Sequence, residues 1–224
     1  MQDLTEPQRR EIEQWIAGLE KLATPSLAGS AVFGEGSANP ELRAQFAAAE
    51  VERVPTGRAA EQLLVHSLAG VRPSGEPTAS ASIDDRLWAA VFDADIDPLS
   101  MIPGAGSLQT DEPSSSLEAW TEVDLAALHA LWWIGVRGGE VRVQERTREA
   151  VLWHVDTIQP DNGTGRPWAV QAFAWIGVME DDHAARLHAQ GLVHASRLAG
   201  DRPDRFTACI LLDAARGLRA AIGS

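Results

Sequence analysis

The sequence predicts an all-α protein built from antiparallel helical hairpins. Apolar residues recur at helical spacing along most of the 224 residues, and no stretch alternates apolar and polar residues as a half-buried strand would. A segment in the second half of the chain also recurs at a spacing of 42 residues, which is the length of a helix–turn–helix unit in helical-repeat proteins. Such units either close towards a ring or stack as an open solenoid.

The repeat is carried by residues 127–136 and 169–178, which align without gaps and both end in Trp-Ile-Gly-Val. A weaker third match lies a further 42 residues along the chain. The alignment places His129, Gln171 and Asp213 at equivalent positions of three otherwise apolar helices. In a ring these three side chains would face a common axis, whereas in an open solenoid they would form a line along one face.

Four helices are predicted before residue 93, each from an N-terminal cap followed by apolar residues at helical spacing. The first opens on a capping box formed by Thr5 and Gln8, and the second opens on Asn39 with Pro40 in its first turn. Residues 24–38 are rich in Gly, Ser and Ala and are predicted to be a loop. The predicted helices cover about residues 5–21, 39–54, 56–71 and 82–91.

Residues 93–116 are predicted as one irregular loop between the N-terminal helices and the 42-residue repeats, within a single domain, 1–224. A loop of this length is usually functional or a linker. Its aspartates at positions 93, 95 and 97 resemble the start of a calcium-binding loop. However, Pro98 stands where such a loop needs glycine, and Gly104 where it needs glutamate. The segment is therefore predicted to be a solvated acidic loop without a metal.

Further helices are predicted from residue 117 onward, with glycines at three of their C-terminal ends. Pro160 stops one of these helices, and Pro167 suits the first turn of the next. In that next helix Gln171 is the only polar side chain, so the helix is predicted to be buried on all sides. The predicted ranges are about 118–137, 141–158, 167–178, 181–199 and 203–221.

Composition narrows the class of partner and the compartment. The net charge of −13 disfavours a nucleic acid or an anionic membrane as the partner. No run of about eighteen apolar residues is present to span a bilayer, and the N-terminus lacks the apolar core of a signal peptide. Cys209 is the only cysteine, which fits a reducing compartment. The protein is therefore predicted to be cytoplasmic, with no cofactor.

The turn from Gln159 to Gly163, the 42-residue hairpins and the eight tryptophans together resemble the α/α-toroid proteins. That superfamily includes terpenoid cyclases, prenyltransferases and six-hairpin glycan enzymes. The resemblance covers at most about the last hundred residues and implies a partial α/α toroid, with a HEAT-like solenoid as the alternative arrangement. The catalytic motifs are absent. Residues 93–97 lack the adjacent aspartate pair of the cyclases, and Thr207 precedes Cys209 where the zinc-binding prenyltransferases have aspartate.

His129, Gln171 and Asp213 form the first candidate site. Around a central cavity they would bind a ligand, and His129 and Asp213 would act in general acid/base catalysis. The alternative is that the three are separate polar groups of the core, each with its own partner. A buried carboxylate needs such a partner, and Arg216, one helical turn after Asp213, is the predicted one.

The second candidate site is a polar cluster at the mouth of a hairpin, around the turn that precedes the buried helix. There, Arg166 would bind a carboxylate or the hydroxyls of a glycan. The alternative is that these side chains cap backbone groups left open at the helix ends. The histidines at positions 183, 188 and 194 are not spaced to share an ion, so no metal is predicted. The candidate ligand-binding residues of this cluster are His154, Asp156, Asp161, Asn162, Arg166 and Trp168.

Two functions remain open at this point. The first is a non-catalytic helical-repeat scaffold that binds a protein or a small molecule, because every catalytic signature that can be tested is absent. The second is an α/α-toroid enzyme that acts on a glycan or an isoprenoid-like substrate by general acid/base chemistry. A deep central pocket lined by tryptophans and acids would favour the enzyme, and a shallow apolar groove would favour the scaffold.

Overall fold

A computed structural model describes residues 4–27, 39–73, 82–110, 116–158, 165–197 and 202–223. Within these ranges the chain forms nine α-helices and one 3-10 helix and no β-strand, which confirms the predicted all-α class. The helices are α1 (Glu6–Leu27), α2 (Pro40–Val51), α3 (Ala59–Ala69), α4 (Ile83–Ala90), α5 (Leu117–Gly138), α6 (Val141–Thr157), α7 (Val170–Met179), α8 (His183–Ala195) and α9 (Arg205–Gly223).

Several helix boundaries differ from the prediction. Helix α2 ends at Val51, three residues before its predicted end, and α3 begins at Ala59, three residues after its predicted start. At the end of α1, tertiary packing overrides the local signals. Helix α1 continues through Pro25 to Leu27, so part of the predicted loop is helical. Ala23 and Leu27 are buried, and their burial favours the last turn although Pro25 donates no backbone hydrogen bond. At the start of α7, Pro167 was expected in the first turn, but the helix begins at Val170.

Helix α9 lies at the centre of the packing and contacts α1, α3, α5 and α7. Helix α1 packs along α9 more extensively than any other pair of helices in the described chain. Residues 170–178 of α7 are all buried, as predicted for a helix that is apolar nearly all round. The core therefore sits where α5, α7 and α9 meet.

Short connections make antiparallel pairs of α5 with α6, the first hairpin, and of α7 with α8, the second hairpin. In each hairpin a glycine lets the following helix approach closely. A Cβ atom added to Gly135 would lie 3.4 Å from Cγ of Gln144, and one added to Gly177 would lie 2.7 Å from Cγ of Arg186. Each glycine thus faces the residue nine positions later in the chain.

The described part of the predicted loop, 93–110, is largely irregular and includes the 3-10 helix Pro98–Met101. Arg146 of α6 holds it, because its guanidinium donates hydrogen bonds to the carbonyls of Pro103, Gly106 and Ser107. The aspartates of the loop accept backbone N–H groups within it, at Asp95 and at Leu99. No helix in the described residues is long and apolar enough to cross a bilayer.

Candidate functional site

His129 and Asp213, which the repeat aligned, meet in the core. The Nε2 atom of His129 lies 2.9 Å from Oδ2 of Asp213, and the same oxygen accepts a 2.6 Å hydrogen bond from Nε1 of Trp133. His129 is fully buried, and Asp213 is 1% exposed. The carboxylate is therefore held by two side chains of α5, whereas Nη1 of Arg216, its predicted partner, donates to the carbonyl of Leu68.

The second ring nitrogen of His129 defines its tautomer. Nδ1 lies 3.2 Å from the backbone nitrogen of Ala169, and since that nitrogen can only donate, Nδ1 must accept. The proton of the neutral ring is then on Nε2, where it points at Asp213. This chain of hydrogen bonds joins the residue before α7 to α5 and then to α9.

The hydrogen bond to His129 also stabilises a strained backbone position. Ala169 has a φ of 59°, in the left-handed region that costs a residue with a Cβ about 1–2 kcal/mol. Its N–H is buried, so the ring of His129 supplies the acceptor that this donor needs. Pro167 therefore precedes a tight turn, in which Trp168 and Ala169 come before the helix.

Gln171, the third aligned residue, is fully buried, but neither atom of its amide forms a hydrogen bond with a described residue. Its Cγ and the indole Nε1 of Trp132 both lie against Gly217 of α9, where a Cβ would be 3.6 Å and 3.0 Å away, respectively. Nε1 of Trp132 also has no hydrogen-bond partner. The three aligned residues thus do not form one hydrogen-bonded set.

Aromatic side chains surround His129. The rings of Trp88 and Trp168 lie with centroids 5.6 Å from its ring, and both tryptophans are fully buried. Accordingly, His129, Gln171 and Asp213 do not line the pocket that contains Trp132 and Trp175, and they do not line the pocket between α1 and α8. The expected wet central cavity does not surround them in the described chain, because large apolar side chains pack against them.

The described members of the predicted mouth cluster have different surroundings. Arg166 forms a 2.8 Å ion pair with the buried Glu61 of α3 and lies over the ring of Phe206. Asp156 is exposed, and Trp168 belongs to the core. Asp161 and Asn162 lie outside the described residues. Arg166 therefore takes part in an ion pair with a buried carboxylate.

His154 belongs to a second buried histidine–aspartate pair, which was not predicted from the sequence. Its Nε2 lies 2.8 Å from Oδ2 of Asp124, whose other oxygen accepts from the Ser107 hydroxyl and from the backbone N–H of Leu108. Nδ1 of His154 is buried without a hydrogen-bond partner. Asp124 was detectable as the one acid on an apolar stretch of α5, but its partners lie in other segments.

His188 and Asp84 are among the buried groups whose pKa values are displaced. Burial, reinforced by the nearby His154, lowers the pKa of His188 to about 4, and the ring of His188 stacks on Phe173. Burial raises the pKa of Asp84 to about 6, even though Arg58, 3.1 Å away, opposes the shift. No group of three metal-ligating side chains is arranged to hold an ion in the described ranges.

In the described chain, a cleft of about 580 Å³ opens between the first hairpin and the C-terminal end of α7. This volume falls within the range of small-molecule sites, about 300–1,000 Å³. None of the predicted site residues lines it. The apolar side chains that line the cleft, here called its floor, are Trp132, Val136, Val141, Trp175, Ile176 and Met179. The polar side chains that line it, here called its rim, are Gln144, Glu145, Thr147, Arg148 and Glu180.

The two Trp-Ile-Gly-Val segments were the available sequence signal for the cleft. The cleft contains Gly135 of the first and Trp175 of the second, and the rings of Trp132 and Trp175 meet edge to face with centroids 5.6 Å apart. No protein-family model, curated protein or solved structure matches the chain. The geometry of the cleft is therefore the basis for proposing a function.

Proposed function

We propose that the protein is a non-catalytic binding protein whose ligand is a small molecule held in the cleft between α5, α6 and α7. The observation that carries the proposal is the cleft itself, with an apolar, tryptophan-containing floor and a polar rim. Such a combination buries the body of a ligand and orients it through a few polar contacts. A cleft of about 580 Å³ suits a small molecule better than an extended protein surface.

The enzyme alternative, acting on a glycan or isoprenoid-like substrate, has less support. A general acid or base must come within hydrogen-bond reach of its substrate. Both ring nitrogens of His129 are engaged inside the protein, and Asp213 is engaged with His129 and Trp133. The geometry supports structural roles for this pair, in which it links three helices.

The partial α/α toroid and its 42-residue repeat belong to the same proposal, with the HEAT-like solenoid as the alternative. Two observations support the repeat. Gly135 and Gly177 align, and each faces a residue nine positions later on the next helix. A reducing, cytoplasmic setting is also proposed, because Cys209 is the single cysteine of the sequence and is buried.

The test is a titration of neutral aromatic fragments into the 15N-labelled protein, observed at the indole N–H resonances. The resonances of Trp132 and Trp175 are expected to shift, whereas that of Trp153, which is outside the cleft, stays in place. Trp175→Ala should abolish the effect, and Trp153→Ala is the matched control. If no fragment perturbs the two cleft indoles at millimolar concentration, the proposed binding function is wrong.

A further inference from the structure

We propose that the cleft selects ligands that carry an ammonium group on an aromatic or otherwise apolar body. The inference rests on the proposed binding function and adds the charge of the ligand to it. Two features of the cleft support it. Its floor contains two indoles, and the polar groups of its rim that are not already engaged are hydrogen-bond acceptors.

The one cation of the rim is neutralised by a neighbour within the cleft. Nε of Arg148 donates to Oε1 of Glu180 over 2.5 Å, and Nη2 donates to Oε2 over 2.6 Å. This two-point geometry is the strongest arrangement of an arginine with a carboxylate. An anionic ligand would have to compete with Glu180 for the guanidinium, so the cleft offers it no ready partner.

The other donors of the rim are also engaged. Nε2 of Gln144 donates to the carbonyl of Gly135 over 3.0 Å, and the hydroxyl of Thr147 donates to the carbonyl of Val143 over 2.8 Å. By contrast, the exposed carboxylate of Glu145 forms no hydrogen bond or ion pair with a described residue, and Oε1 of Gln144 accepts none. A ligand that satisfies these oxygens must bring N–H or O–H donors.

The indoles of the floor and the negative charge of the protein favour a cationic donor over a neutral one. Indole is the side chain with the most favourable cation–π interaction, and Trp132 and Trp175 both line the cleft. With Arg148 and Glu180 cancelling each other, Glu145 leaves the rim with a net negative charge. The net charge of −13 also raises the local concentration of cations around the protein.

The test compares three probes that share a phenylethyl body and differ in the charge of the head group. They are 2-phenylethylammonium, 2-phenylethanol and 3-phenylpropanoate, titrated into the full chain by calorimetry at low salt. The ammonium is expected to bind about three- to tenfold more tightly than the alcohol, as cation–π and exposed charge contacts imply. The carboxylate is expected to bind most weakly, and added salt should reduce the preference.

Charge-changing variants test whether the preference comes from the cleft. Glu145→Gln should remove most of the advantage of the ammonium and leave the alcohol unchanged. Glu149→Gln, the same charge change on the same helix but outside the cleft, is the matched control and should keep the preference. Glu180→Gln frees the guanidinium of Arg148 and should shift the preference towards 3-phenylpropanoate.

The outcomes separate the two proposals. If the three probes bind with equal affinity and all shift the Trp175 indole resonance, the ammonium assignment is wrong and the binding function stands. If Glu149→Gln lowers the affinity for the ammonium as much as Glu145→Gln does, the preference reflects net charge and the assignment to the rim is overturned. If no probe binds, and the neutral fragments also leave Trp132 and Trp175 unperturbed, both proposals fail.

Discussion

The two hairpins have the same residues at several aligned positions and use them differently. In the first hairpin, Trp133 donates to the buried Asp213, whereas the aligned Trp175 of the second lines the open cleft. His129 engages both of its ring nitrogens, whereas the amide of the aligned Gln171 has no hydrogen-bond partner among the described residues. A shared sequence pattern thus does not assign equivalent partners to the aligned side chains.

The glycines show the same contrast in packing. At Gly135 a Cβ would make ordinary contacts, the nearest at 3.4 Å with the flexible side chain of Gln144. At Gly177 it would lie 2.7 Å from Cγ of Arg186 and 3.0 Å from the backbone nitrogen of that residue. The second hairpin is therefore the more tightly packed, and its glycine is a steric requirement.

The largest expected difference is between His129→Met and Gln171→Met. Replacing His129 leaves the carboxylate of Asp213 buried without its ring partner, so the free energy of unfolding should fall by about 3–5 kcal/mol. Replacing Gln171 removes a buried amide that has no partner, so stability should change by less than about 1 kcal/mol or increase. Denaturant unfolding of both variants measures the difference. Equal losses of stability would show that the hydrogen bonds of His129 contribute no more than the amide of Gln171.

A smaller difference is expected between Gly177→Ala and Gly135→Ala. The added methyl at position 177 cannot avoid the backbone of α8, so the free energy of unfolding should fall by about 1–3 kcal/mol. At position 135 the neighbouring side chain can move, and the greater helix propensity of alanine should stabilise the protein by up to about 1 kcal/mol. Thermal and denaturant unfolding check both signs. A stabilised Gly177→Ala would contradict the close approach of α8.

The smallest expected effect is a pH dependence from the second hairpin. The pKa of the folded His188, about 4, lies below its ordinary value of 6.5, so the unfolded chain binds more protons between these values. The unfolded histidine takes up its proton as the pH drops below about 7.5, so stability should already fall by about 1 kcal/mol between pH 7.5 and pH 6. His188→Phe should lose this contribution and keep the stacking on Phe173.

At the aligned position of the first hairpin, no such pH dependence is expected. Arg146 aligns with His188 at the 42-residue offset and has a guanidinium, which stays charged over this pH range. Asp84, whose pKa is raised to about 6, has the opposite effect, since its contribution to the stability of the protein is lost as the pH rises from about 4 to 6. Its contribution is common to wild type and His188→Phe and cancels in their difference. Identical pH profiles for the two proteins would refute the assignment to His188.

Hydrophobic periodicity and caps predicted most of the helices. Asn39 accepts a hydrogen bond from the backbone N–H of Glu41 in the first turn of α2, and Gly139 ends α5 in the left-handed conformation, as the turn chemistry of these residues implies. Periodicity also predicted the complete burial of α7. These features depend on residues a few positions apart, so the sequence contains all of their causes.

The sequence by itself determined the helical class and the burial of the helix that follows Pro167. Only the tertiary structure decided that Asp213 is held by His129, that His154 is held by Asp124, and that a cleft opens beside Trp175. The reason is that helix formation follows local spacing, whereas a hydrogen-bond partner or a cavity depends on the angle and depth at which distant helices dock. Small differences such as the contacts of Gly135 and Gly177 set that docking.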